Sequence, residues 1–86
     1  LPADNQYYIL FATIHDVLKA EKLFKGSAID AEVVPVPRKL SSDCGVCIKS
    51  SNAPETLGAV LEGMTGIRCF AFDGADYLPY NAHNGR

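Results

Sequence analysis

Two cysteines three positions apart, Cys44 and Cys47, stand in the string Ser41-Ser42-Asp43-Cys44-Gly45-Val46-Cys47, with Arg38 and Lys39 shortly before it. Cys44 sits at the end of a polar stretch, where a thiol can meet a partner. A thiol there turns nucleophilic, or becomes able to accept a sulfur atom, when nearby positive charge favours the thiolate. Arg38 and Lys39 supply such charge, and His15 is the imidazole available to tune the thiol. Gly45 leaves the backbone beside the sulfur open to a visitor. The hydroxyls of Ser41 and Ser42 are placed to hydrogen-bond a sulfur anion, while Asp43 and Asp16 oppose it.

The C-x-x-C spelling also admits a dithiol redox pair. That reading needs a local turn, because residues three apart in an extended strand are ~10 Å apart, beyond the ~7 Å Cα limit for a disulfide. Cys44, Cys47 and His15 could furnish three zinc ligands, but one C-x-x-C without a second pair is a weak metal signature. No metal and no cofactor is therefore expected. Cys47 and Cys69 fall within apolar runs and read as packing residues.

These residues need a scaffold. Gln6 to Thr13 (QYYILFAT) is aromatic and β-branched without glycine or proline, which suits a central strand. Thr13 stands three residues before Asp16, a capping-box spacing that predicts a helix from about Ile14. Within it Val17, Ala20, Leu23 and Phe24 fall on one face, Lys19, Lys22 and Lys25 on the other, and Gly26 is expected as a left-handed stop. Ala31 to Val36 reads as a second strand, held to an edge by Pro35. Pro37 to Asp43 reads as a loop and Gly45 to Lys49 as a third strand. Asn52-Ala53-Pro54-Glu55 opens a second helix with stripe Ala53, Leu57, Val60, Leu61 and Met64, ended by Gly66. Ile67 to Phe72 forms a fourth strand. Residues 74–86 are rich in breakers and read as a tail that could dock through Tyr77, Leu78 and Tyr80.

The order β-α-β-β-α-β predicts an α+β, ferredoxin-like split βαβ: a four-stranded antiparallel sheet, order 4-1-3-2, with both helices on one face. In that topology the third strand begins at the sheet edge where the first helix starts. Cys44 would then lie near a helix amino terminus, whose partial positive charge favours a thiolate.

The chain's 86 residues suffice for one domain, with a core at about residues 6–73. A chain this short buries only ~60 to 65% of its unfolded surface, which favours a homodimer. The net charge of −2, with scattered basic residues, argues against nucleic-acid binding. The longest apolar run is far shorter than the ~20 residues of a membrane span. Three cysteines, an odd count for a secreted disulfide framework, point to a reducing cytoplasm.

The combination of Ser41-Ser42-Asp43-Cys44-Gly45, the preceding Val34-Pro35-Val36-Pro37-Arg38 and the helix start Thr13-Ile14-His15-Asp16 resembles the selenium/sulfur (Se/S) carrier-like family of small bacterial domains. The likeness runs from about Tyr7 to Phe72. It implies that Cys44 holds a persulfide or selenopersulfide and relays it between a donor, such as a cysteine desulfurase, and an acceptor protein. In that role His15 would orient the thiol and Arg38 would hold the anion. Cys47 and the segment after Gly74 are not part of the family pattern. A different class of function, a ferredoxin-like interaction or ligand-binding module with an incidental cysteine, would tolerate Cys44→Ser.

Overall fold

Alternating side chains in Gln6–Leu10 (β1) send Tyr7 and Ile9 to one side and Tyr8 and Leu10 to the other, and this strand is the centre of the fold. The structure, a computed structural model, describes residues 6–40, 45–52 and 54–80. Around β1 are α1 (Ile14–Gly26), β2 (Glu32–Pro35), β3 (Val46–Ser50), α2 (Pro54–Leu61), β4 (Arg68–Phe72) and β5 (Tyr77–Tyr80). The architecture is α+β, with two helices and one five-stranded antiparallel sheet ordered β2-β3-β1-β4-β5.

The expected four-stranded sheet is thus corrected to five strands. The neighbours β4, β1, β3 and β2 lie side by side, and β5 adds itself outside β4. The breakers of residues 74–86 predict a tail over Tyr77–Tyr80, but an outer strand has one side that needs no donor, and Pro79 sits there opposite Phe70. The turn that returns the chain is built by Asp73, whose carboxylate accepts from the amides of Ala75 (2.9 Å) and Asp76 (2.8 Å). Those two hydrogen bonds hold the Asp73 carboxyl below its ordinary pKa.

One face of the sheet carries the core. Ile9 pairs with Ile48 on one side and Cys69 on the other, and all three meet Val17, Ala20 and Phe24 of α1 and Leu57 and Leu61 of α2. Leu23, placed in the α1 stripe from sequence, is instead 39% exposed. Thr13 caps α1 as expected, its hydroxyl accepting from the Asp16 amide at 3.2 Å. At the far end Gly26 is still helical. The chain leaves through Ala28 at φ 57, with Ala28 N–H donating to Lys25 O (3.2 Å) and Ile29 N–H to Phe24 O (2.9 Å). This is a Schellman closure with alanine where glycine is usual. α2 ends at Leu61, earlier than Gly66 implied, and Met64 reaches the core from the following turn.

The left-handed conformation costs an alanine roughly 1 kcal/mol that glycine does not pay. Ala28→Gly is therefore expected to stabilise the chain by about 0.5 kcal/mol after the added freedom of the unfolded glycine is deducted. A rise in the urea midpoint at constant slope would show it, and a fall would mean that the Ala28 methyl packs usefully.

At the end of the sheet where β3 finishes, buried Ser50 donates to the Asp30 carbonyl and accepts from the Asn52 amide at 3.1 Å. The Asn52 side chain accepts from the Asp30 amide at 3.0 Å. This polar knot ties the entry to β2 to the entry to α2. At the opposite end of the sheet lie the start of α1 and the start of β3.

Candidate functional site

The expected site residues fall in several parts of the chain. Cys44 and Ser42, with Ser41 and Asp43, lie outside the described residues. Gly45, next to Cys44, opens β3 at the sheet edge from which β1 leaves toward α1, two pairs beyond the observed Leu10–Cys47 pairing if that register is extended. Its φ of +77° is a conformation that side chains rarely adopt, and a Cβ there would meet nothing within 4 Å. Glycine at this position is thus required by the backbone turn.

His15 is exposed in the first turn of α1. It is two positions from Val17, so on a helix it points away from the buried stripe, toward solvent above the helix layer. Arg38 is also exposed. Its neighbour Lys39, however, donates to the Ala75 carbonyl at 3.1 Å and lies 3.9 Å from Asp76. Those two residues belong to the β4–β5 turn, at the other end of the sheet from the start of β3. The described part of the β2–β3 connection therefore runs across the sheet surface opposite the helices. Its base is closed by Val36 N–H donating to Gly45 O at 3.1 Å.

That crossing explains the burial of Cys47. Cys47 alternates with the core residues Val46 and Ile48, so it faces away from the helices, yet it is 0% exposed and Leu10 beside it is 1% exposed. Val36, Pro37 and Leu40 of the connection, all half-buried, are the apolar residues available to cover this side. Under it, Cys47 neighbours two tyrosines. Burial pushes the Tyr8 phenol up, with the nearby Cys47 and Glu32 adding to the effect and the Tyr77 hydroxyl partly relieving it. Tyr77 is raised by loss of water and by Tyr8 and Cys47. The rings of Tyr8 and Tyr77 meet edge to face at 5.3 Å, and Phe72 lies 4.6 Å from Tyr77.

His15 and Cys47 thus occupy opposite sides of the sheet layer, and the described structure does not bring them together. Tyr8 and Tyr77 are the neighbours of Cys47 that sequence reasoning missed. The alternation of β1 assigns Tyr8 to the same side as Cys47, but Tyr77 joins it only because β5 forms. Among the described residues no group of three or more His, Cys, Asp or Glu gathers closely enough to hold a metal. No helix among them is long and apolar enough to cross a membrane.

A second cysteine, Cys69, is buried on the helix side next to Tyr80. Among the described residues the buried Tyr80 hydroxyl has no hydrogen bond of good geometry, and burial, then the neighbouring Cys69, raise its pKa far above the ordinary phenol range. Above about pH 10 an unfolded chain ionises this tyrosine while the folded one keeps its proton, so stability is lost as pH rises. The slope is at most ~1.4 kcal/mol per pH unit, and the partial exposure of the ring narrows the pH interval over which it applies. Tyr80→Phe is expected to flatten this alkaline loss and to leave stability near pH 8 unchanged or slightly higher. Urea midpoints across that pH range would show it; equal slopes for both proteins would exclude Tyr80 as the source.

No curated protein and no solved structure shows significant similarity to the chain. One family does match: the family described as "Putative Se/S carrier protein-like" covers residues 6–64, from β1 through the turn after α2, and so includes Cys44, Gly45 and Cys47. The match spans well over half of the 86 residues, and the chain belongs to this Se/S carrier-like family.

Proposed function

We propose that this protein carries sulfur or selenium as a persulfide or selenopersulfide on Cys44 and passes it from a donor protein to an acceptor. The observation that carries this reading is the family match across the segment containing Cys44. It is supported by the glycine that opens the chain beside that cysteine and by the burial of the other two thiols, Cys47 and Cys69.

In the transfer step the Cys44 thiolate attacks the terminal sulfur of a donor persulfide, R–S–SH. A new S–S bond forms to Cys44 while the donor's S–S bond breaks, and the donor leaves as a thiolate. The terminal sulfur keeps its hydrogen and its oxidation state, so no oxidant or reductant is consumed. Delivery repeats the exchange with the acceptor's thiolate as the attacking group. Arg38 and the amino end of α1 are assigned the role of stabilising the anion, and His15 that of tuning the thiol. The compartment in which this occurs is proposed to be the cytoplasm, where thiols stay reduced.

Intact-mass spectrometry after incubation with a persulfide-loaded cysteine desulfurase tests the proposal. The expected result is a gain of one sulfur atom that a small thiol removes and prior alkylation of the protein prevents. Absence of any adduct, under conditions that load a known carrier, would instead favour an interaction module in which the cysteine is incidental.

A further inference from the structure

The carrier reading leaves the outer side of α1 unexplained. Val17, Ala20 and Phe24 form its buried stripe, and His15, Leu18 and Lys22 repeat the same spacing two positions earlier, on the opposite side of the helix. Leu18 is 50% exposed and Ile14, one turn before it, 46% exposed. Of the five exposed large hydrophobic side chains among the described residues, three lie on α1. Lys19, Lys22 and Lys25 are all exposed and outnumber the half-buried Asp16 and Glu21 of the same helix, and among the described ion pairs of α1 only Lys25 takes part, with Glu21 at 3.8 Å.

This positive character is local. The whole chain is net negative at −2, and α2 on the same side of the sheet has no basic residue in its last turn, carries Glu55 in its first turn and is followed by Glu62. An acidic surface approaching the helix layer is therefore drawn to α1 and repelled from α2. The amino end of α1 also shares its sheet edge with Gly45, so a protein seated on Ile14 and Leu18 lies at the end of the fold where Gly45 opens β3.

We infer that the exposed side of α1, with Ile14 and Leu18 as apolar anchors and Lys19 and Lys22 as the charged rim, is the docking surface for the donor protein. Its occupant presents acidic residues around its own persulfide-bearing cysteine. The inference rests on the carrier reading and adds the partner's surface chemistry to it.

The test compares two donors, a persulfide-loaded cysteine desulfurase and free cysteine persulfide, on wild type, Lys19→Glu/Lys22→Glu and Lys19→Arg/Lys22→Arg. Loading from the protein donor is expected to slow at least tenfold in the glutamate variant at low salt, to stay near wild type in the arginine variant, and to fall with salt only where the charges remain. Loading from cysteine persulfide is expected to be equal in all three, which shows that each is folded and reactive. Equal loading by the desulfurase in all three would overturn the docking surface while leaving the carrier intact. A wild-type dimer that the glutamate variant loses, seen by sedimentation, would reassign the face to a second copy of this chain. No loading of wild type from either donor would remove the carrier reading and this inference with it.

Discussion

Cys44→Ser is expected to lose all detectable loading with sulfur or selenium, whereas Cys47→Ser retains it. A serine hydroxyl is scarcely ionised near neutral pH and forms no stable bond to a sulfane sulfur, so its substitution removes both the nucleophile and the product. Cys47 is 0% exposed beneath the β2–β3 connection, beside Tyr8 and Tyr77, where a partner's persulfide cannot reach it without that cover moving. Its replacement by serine is expected to cost about 1 kcal/mol of stability through the buried hydroxyl. Mass spectrometry of the two variants after exposure to the same donor decides between them. Loss of the adduct with Cys47→Ser as well would show that both thiols take part, and would return the C-x-x-C dithiol reading to first place.

Phe24→Ala carries the largest expected effect on the fold. Phe24 is fully buried and the bulkiest such residue, at the junction of α1 with Ile9, Ile48 and the second helix. Truncating a buried phenylalanine removes its transfer free energy and leaves a cavity, together about 3 to 5 kcal/mol. A domain of this size has roughly 4 to 13 kcal/mol in total, so the variant would be marginal at room temperature, with Tm lowered by roughly 15 to 30 °C. Thermal and urea unfolding followed by circular dichroism measure this, with Phe24→Leu as a milder control expected to lose about 1 kcal/mol. A cost below ~1 kcal/mol for the alanine variant would mean that the core collapses around the gap.

Several features of the fold were legible in the sequence because their causes are local. The Thr13 cap follows from a hydroxyl three residues before Asp16, and the edge position of β2 from the missing amide of Pro35. The alternation of Val46 and Ile48 against Cys47 is a period-two pattern that any strand reader recovers. The helix stop was misplaced from Ala28 to Gly26 because glycine preference is only statistical, while the Schellman closure is set by which amide meets Phe24 O. The fifth strand is not legible in the sequence, because Pro79 and Gly74 taken alone are breakers. The β4 backbone across the Asp73 turn and Tyr7, whose ring meets that of Tyr80 at 5.7 Å, supply the reward for pairing, and Tyr7 is distant in sequence.

The same division applies to the site. By itself the sequence nominated Cys44 as the candidate thiol, and it determined the family and the topology that brings the start of β3 to the edge where α1 begins, because motif and element order are properties of the chain. Only the tertiary structure decided that His15 and Cys47 fall on opposite sides of the sheet layer and that Cys47 is sealed beside Tyr8 and Tyr77. It also decided that the β2–β3 connection is drawn across the sheet by Lys39 to Ala75. That contact joins residues 36 positions apart, and no local propensity encodes it. It exists because the sheet face opposite the helices exposes apolar and aromatic side chains whose burial favours whatever segment of chain can reach them.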